Sequence, residues 1–202
     1  MDEGLAKEAR ANQGKGKIII GITGASGTIY GLYSVQILRS LGYTPIVIIS
    51  KGAERVARAE QGLDLFEELR KLSSEVYLEN EIDAPPSSSS SITKTAGMAI
   101  IPCSIKTLAQ IAHGISSNLI SRTAINMLRV RKRLVLVIRE TPLGTIELKN
   151  ALEVSKAGGI ILPASPGFYI KPRSIEDVVK FVVGKTLDVL EIEHDIYKRW
   201  TR

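Results

Sequence analysis

One cysteine, two histidines, one tryptophan and three phenylalanines are all that 202 residues hold of those four types. The lone thiol, Cys103, excludes an intramolecular disulfide framework. With only His113 and His194 beside it, no soft-ligand metal cluster suggests itself. No apolar run reaches the ~18 residues that suggest a membrane span. Residues 1–16 are polar and charged, without the apolar core of a signal peptide. They read as a flexible or surface leader, and the chain as cytoplasmic. Aromatics are scarce and no reading motif appears, so nucleic acid is not expected as a partner, although the net charge is +6. That charge gathers only over 129–133; otherwise it is spread, which suits small phosphorylated ligands better.

What remains is the make-up of one well-buried α/β domain over 17–190, with 44% hydrophobic and 24% charged residues in the chain. A mixed-charge tail, 191–202, follows and could pack on a neighbouring subunit through Tyr197 and Trp200.

The chain is organised around 17–27. A strand-like run, Lys17-Ile18-Ile19-Ile20, ends in small residues with Gly21, Gly24 and Gly27 three apart. A helical pattern through Ile29, Tyr33, Ile37 and Leu38 follows at once. The turn's N–H groups and the helix start would face a phosphate, with the Ser26 hydroxyl as a further donor. The spacing is neither the full dinucleotide fingerprint nor a P-loop, so a phosphate cradle and an ordinary β–α turn both fit.

Further strands are expected over 45–49, 76–78, 98–101, 134–138 and 160–162, each closed by a turn signal. In a doubly wound sheet the residues just past such strands meet at one edge, where ligands bind. Ser50 follows the second strand, and Glu60 lies on the helical stretch 51–72, which is broken at Gly62. Two prolines and five serines over 85–91 are either a linker or a ligand loop that offers hydroxyls to an anion. Ser104 is a plausible N-cap for a helix with Ile105, Leu108, Ala109 and Ala112 on its inner face. Cys103, with no histidine placed as its base, reads as a core residue.

Arg122 and Arg129, seven residues apart, emerge on nearly one face of a helix over 118–130. They are either solvated or line an anionic pocket. Arg139-Glu140-Thr141-Pro142 follows a very apolar strand directly, a costly place for charge unless it is used on a ligand. A helix over 145–156 is expected to pack through Ile146, Leu148 and Leu152. Residues 163–172 form a rigid, aromatic, proline-rich loop, and Ser174 caps a last helix on which Lys185 falls beside Val178 and Val182.

Taken in order, Gly24-Ala25-Ser26-Gly27, Ser50, Gly97-Met98, Pro102-Cys103-Ser104, Thr107-Leu108, Arg122, Arg139-Glu140-Thr141-Pro142-Leu143 and the prolines and aromatics of 163–172 resemble the UbiX-like flavin prenyltransferases over about residues 17–190. The resemblance implies a three-layer α/β/α fold, a single-domain Rossmann/flavodoxin-like parallel sheet of five to six strands. It implies transfer of a dimethylallyl group from dimethylallyl phosphate to N5 and then C6 of reduced FMN, without a metal. The product, prenylated FMN, would go to a separate UbiD-like decarboxylase. The family builds trimers into dodecamers with the flavin at subunit junctions.

Carried over by position, Gly24, Ala25, Ser26, Ser50, Ser104, Ile105, Lys106, Thr107 and Arg139 match the FMN contacts. Tyr169 and Lys185 match the prenyl-phosphate contacts, and Ser90 and Ser91 of the serine loop are assigned to the same substrate. Arg122, Arg129, Glu140 and Glu60 match further catalytic positions. Arg129 stands where many members carry lysine, Lys185 where arginine is common, and Ile125 where aspartate is frequent. Two other readings stay open beside this one. One is an FMN storage or delivery protein; the other is a flavin-dependent cysteine decarboxylase, which would need a histidine in an early helix.

Overall fold

The computed structural model describes residues 14–200. Nearly all of the predicted leader, and the last two residues of the tail, lie outside the described residues.

Six strands form one parallel sheet: β1 (Lys17–Ile22), β2 (Thr44–Ile49), β3 (Glu75–Leu78), β4 (Thr95–Cys103), β5 (Leu134–Ile138) and β6 (Ile160–Pro163). Their order is β3-β2-β1-β4-β5-β6. The central strands read as unbroken apolar runs because both of their faces are covered. Ile18, Ile20, Ile22, Val47, Ile49, Ala99, Ile101, Val135 and Val137 bury on one face. Ile19, Ile46, Ile48, Met98, Ile100, Leu134, Leu136 and Ile138 bury on the other. The alternation is the period of two that extended backbone imposes.

Helices α1 (Thr28–Ser40), α2 (Lys51–Gln61), α3 (Leu65–Leu72) and α8 (Ile175–Val189) cover the first face. The short α4 (Ser89–Ile92), α5 (Ile105–Ala112), α6 (Leu119–Arg129) and α7 (Thr145–Lys156) cover the second. This is the three-layer arrangement that the sequence led us to expect. Side-chain N-caps set the starts: the Ser50, Asp64, Ser104, Asn118 and Ser174 oxygens accept from Ala53, Glu67, Thr107, Ser121 and Asp177 N–H. The expected break between α2 and α3 comes at Gly62, in the left-handed region at φ 66°.

The chain winds outward from β1 to β3, returns beside β1 as β4, and winds outward again to β6. The register brings the strand ends level: Ile22 beside Ile49, Ile49 beside Leu78, Cys103 beside Ile138, and Ile138 beside Pro163. The loops beyond them therefore share one edge, and the reversal of winding between β1 and β4 opens a crevice there.

One expectation about packing is corrected. Ile146, Leu148 and Leu152 of α7 do not face the core; they are 72%, 55% and 52% exposed, and Asn150 and Val154 are buried instead. Helix α7 lies over the edge strand β6, whose own side chains are only half-buried, so there is little core for it to cover. The basic run also has a structural use. Lys132 Nζ donates to Thr95 O, and Arg133 donates to Val189 O and pairs with Glu191. These cations sit where α6, α7 and α8 end, and complement the negative ends of the helix dipoles.

Candidate functional site

At the crevice, buried Thr23 fastens the β1 turn to the end of β4. Its N–H and Oγ1–H both donate to Pro102 O, at 3.2 and 2.8 Å, and its Oγ1 accepts the Ser104 N–H at 2.7 Å. The turn continues through Gly24 to Ser26 against the start of α2. A Cβ on Gly24 would stand 2.9 Å from Gly52 Cα, so the two backbones meet directly and only glycine fits. Ser50, buried at the α2 N-cap, is thereby held beside Gly24, Ala25 and Ser26.

The starts of α1, α2 and α5 flank the crevice, and the first two already hold a carboxylate. Glu60, from α2, accepts the Gly27 N–H at 2.9 Å at the start of α1. Glu79, just past β3, accepts the Lys51 N–H at 2.8 Å and, through its other oxygen, the Asn118 amide at 2.8 Å. The start of α5 has no such partner. Ser104 Oγ accepts the Thr107 N–H at 3.3 Å, and the Ile105 and Lys106 N–H groups have no acceptor among the described residues. An anion at this crevice finds donors without a competing carboxylate at the start of α5, beside the Gly24 and Ser26 N–H groups of the β1 turn.

Arg139 enters from the end of β5, its N–H on Cys103 O at 3.5 Å. Its Nε is buried and has no hydrogen-bond partner among the described residues. Tyr30 of α1 faces it; burial pushes the Tyr30 phenol above its ordinary value, and the Arg139 charge offsets part of that rise. Glu140 is exposed and folds back to accept the Thr141 N–H at 3.0 Å. Burial raises the Cys103 thiol far above its usual range, which removes it as a nucleophile.

A second group forms on the other side of β1. The serine segment is built into the fold rather than strung out as a linker. A 3₁₀ turn over Pro85–Ser87 leads into α4, with Thr123 Oγ1 donating to Pro86 O and Asn126 Nδ2 to Ser87 O. Asn126 Oδ1 in turn accepts from Arg129 Nη1 at 2.8 Å. Arg122, Ile125 and Arg129 of α6, with Ser87, Ser88 and Ser89, line a polar groove of about 440 Å³. Among the described residues no carboxylate lines it. Ser90 and Ser91 lie beyond this lining, in α4; the Ser90 and Ser88 hydroxyls are 2.8 Å apart.

Tyr169 and Lys185 form a third group. Tyr169, in the 3₁₀ turn Phe168–Ile170, stands edge-on to Phe181 and to Trp200, with ring centroids 5.8 and 5.2 Å away. Lys185 Nζ lies 3.5 Å from Asp188 Oδ2, one turn further along α8. The tail folds back here onto its own chain, where Tyr197 packs on Gly184 and Phe181.

The crevice thus gathers Gly24, Ala25, Ser26, Ser50, Ser104, Ile105, Lys106, Thr107 and Arg139, with Glu60 on its rim. Within one chain it does not gather the rest. Arg122 and Arg129 belong to a helix on one face of the sheet, Tyr169 and Lys185 to elements packed on the other. Sequence reasoning passed over Thr23, Glu79, Asn126 and Asp188. Each acts through a partner that is remote in the chain or set by the tail's path, so no local signal marked it.

The Flavoprotein family model matches residues 6–187. The flavin prenyltransferase UbiX of Saccharolobus solfataricus is 59% identical over 199 residues, 97% of this chain and 99% of that one. Among solved structures, AnUbiX (PadA1) in complex with FMN and dimethylallyl pyrophosphate superposes with a TM-score of 0.88 at 42% identity, over 92% of this chain and 97% of that one. The dodecameric FMN-dependent UbiX-like decarboxylase of Escherichia coli O157:H7 gives 0.87 at 36% identity, over 92% and 100%.

Proposed function

The chain belongs to the UbiX-like flavin prenyltransferases, within the flavoproteins, and from that premise we propose that it joins a dimethylallyl group from dimethylallyl phosphate to N5 and C6 of reduced FMN, releasing phosphate. The observation that carries this reading on the chain itself is the buried Arg139 Nε. It lacks an acceptor at the mouth of a crevice whose α5 N–H donors are also free. A flavin mononucleotide suits both sets of donors: an anionic phosphate for α5 and a polar ring edge for Arg139.

Ser104, Ile105, Lys106 and Thr107 take the phosphate, Gly24, Ala25, Ser26 and Ser50 line the wall, and Arg139 holds the ring. Reduced FMN supplies the nucleophilic nitrogen and, afterwards, the ring carbon. As the allylic C–O bond breaks, its electron pair leaves with the phosphate. Lys185 and Tyr169, with Arg122 and Arg129, stabilise the charge that gathers on the departing oxygens. Cationic side chains in that number favour a transfer that runs without a metal. The first bond displaces the N5 proton, and the second needs one proton on the allyl group's inner alkene carbon and the loss of one from C6. Glu140 shuttles protons between these positions, and the net proton leaves with phosphate.

The groove shares no lining residue with the crevice, and in this reading it and the Tyr169–Lys185 group reach the crevice of other copies. The exposed Ile146, Phe168 and Ile175 supply apolar surface for that assembly. We read it as a dodecamer built from trimers; the E. coli relative is described as dodecameric. The protein acts in the cytoplasm and hands its product to a UbiD-like decarboxylase; among the described residues no helix is long and apolar enough to cross a membrane.

Anaerobic incubation with reduced FMN and dimethylallyl phosphate tests the reading. A gain of one five-carbon unit in flavin mass, with one phosphate released per flavin, is expected. FMN bound with neither change would make the protein a carrier.

A further inference from the structure

The carboxylate of Asp188 is the most heavily used polar group in the third cluster. It accepts from the Tyr197 hydroxyl at 2.5 Å and from Arg199 Nη2 at 2.8 Å, with His194 Nε2 at 3.1 Å and Lys185 Nζ at 3.5 Å. The His194 ring is fully buried, bonded also to Gly184 O at 2.9 Å, and its Nδ1 faces the Ile196 N–H at 3.4 Å. Arg199 and Lys185 both lie over the Tyr197 ring, at 5.4 and 6.0 Å. The tail bound this way carries Trp200 to the edge of Tyr169. Asp188 thus joins two cations and a phenol that arrive from α8 and from a tail segment with no regular structure of its own.

We propose that Asp188 is a positioning residue for the prenyl-phosphate end of the site, aligning Lys185 and Arg199 with Tyr169, and that Arg199 is a further phosphate-binding group. The proposal rests on the functional reading above, since Tyr169 and Lys185 are its prenyl-phosphate residues. Three features carry it. One carboxylate contacts both cations, so their remaining N–H groups share one neighbourhood. The Arg199 guanidinium, held above its ordinary value chiefly by its hydrogen bond to Asp188, also feels the Tyr169 phenol. Lys185 alone is one point charge, whereas Arg199 adds a planar fork suited to two phosphate oxygens.

Asp188→Asn keeps the shape and removes the charge. In the full-length protein it should raise KM for dimethylallyl phosphate about tenfold and lower kcat as well, because Lys185 both grips the phosphate and stabilises the charge that develops on it. FMN affinity, read from flavin fluorescence, should stay within about twofold. Trp200 is the one tryptophan in the chain, so its fluorescence anisotropy reports the tail alone; it should fall. Asp188→Glu should recover part of the KM. A second arm titrates inorganic phosphate against Trp200 fluorescence, without turnover, and the variant should bind about tenfold more weakly than the parent. Equal phosphate affinity in the two proteins, or parallel loss of FMN affinity and thermal stability, overturns the proposal. Absence of prenyl transfer by the parent with the phosphate arm intact would instead sink the functional reading. If Asp188→Asn does not fold, Tyr197→Phe, which removes one donor to the carboxylate, carries the same expectations at smaller size.

Discussion

Arg129 and Lys185 stand on helices that cover opposite faces of one parallel sheet. Helix α6 buries Leu119, Ile120, Ala124 and Met127 on one side, and α8 buries Val179, Val182, Val183 and Leu187 on the other. Both cations are assigned to one substrate phosphate, and in the proposed assembly they reach it from different subunits.

Mixed oligomers decide this. Arg129→Ala and Lys185→Ala, each nearly inactive by itself, should regain activity when co-expressed. If a site draws the two residues from two chains at random, about a quarter of the sites are intact, and recovery should approach that fraction. A mixture as inactive as its parents would place both residues within one chain's site.

Arg139 carries the buried nitrogen that lacks an acceptor. Arg139→Ala should weaken FMN by the ~1.5–3 kcal/mol of a hydrogen bond to a charged group, roughly 10- to 150-fold in Kd by fluorescence titration. An unchanged Kd would leave the orphan nitrogen without a function in flavin binding.

Gly24→Ala places a methyl 2.9 Å from Gly52 Cα, with backbone on both sides and nothing flexible to give way. A destabilisation of ~1–3 kcal/mol is expected, with a Tm lower by several degrees. FMN affinity should fall with it, since the same displacement moves Ser26 and Ser50. A full-affinity Gly24→Ala protein would show that the crevice wall tolerates movement.

Glu60 occupies the start of α1 as an anion would. Glu60→Gln keeps an acceptor and loses the charge, so ~0.3–1 kcal/mol of stability should go. FMN affinity should hold, because the phosphate belongs to α5. Tighter FMN binding by the glutamine protein would move the phosphate to α1.

The tail should release at both ends of the pH scale. Burial by itself would raise the Asp188 carboxyl, but the hydrogen bonds from Tyr197 and Arg199 outweigh it and hold the group below its ordinary value. Its contribution is complete above the unfolded value of ~3.9 and is lost as pH falls through the lower folded value. Burial, then the bond to Asp188, pushes the Tyr197 phenol up. That contribution is complete below the unfolded ~10 and is lost as pH rises beyond it. Trp200 anisotropy should therefore be level through the neutral range and drop on either side. Asp188→Asn should lose the acid limb. A midpoint near neutrality would mean that another group holds the tail.

By itself the sequence determined the repeating unit. Apolar runs closed by Gly, Ser or Pro had to be buried strands, and the glycines and serines beyond them had to be turns and caps, because backbone sterics and unpaired N–H groups act over a few residues. The turn at 23–27 and the caps at Ser104 and Ser174 were legible for that reason. The resemblance added chemistry to residues that periodicity alone left as solvated arginines or an odd charged pair.

Tertiary structure alone decided which strand ends are neighbours, and so which of those residues meet. Thr23 can clamp Ser104 only because β4 returns to lie beside β1. The same winding sends α6 and α8 to opposite faces and leaves the apolar residues of α7 uncovered at the sheet edge. Strand order is set by the summed burial of the whole core, a quantity that no short stretch of chain contains.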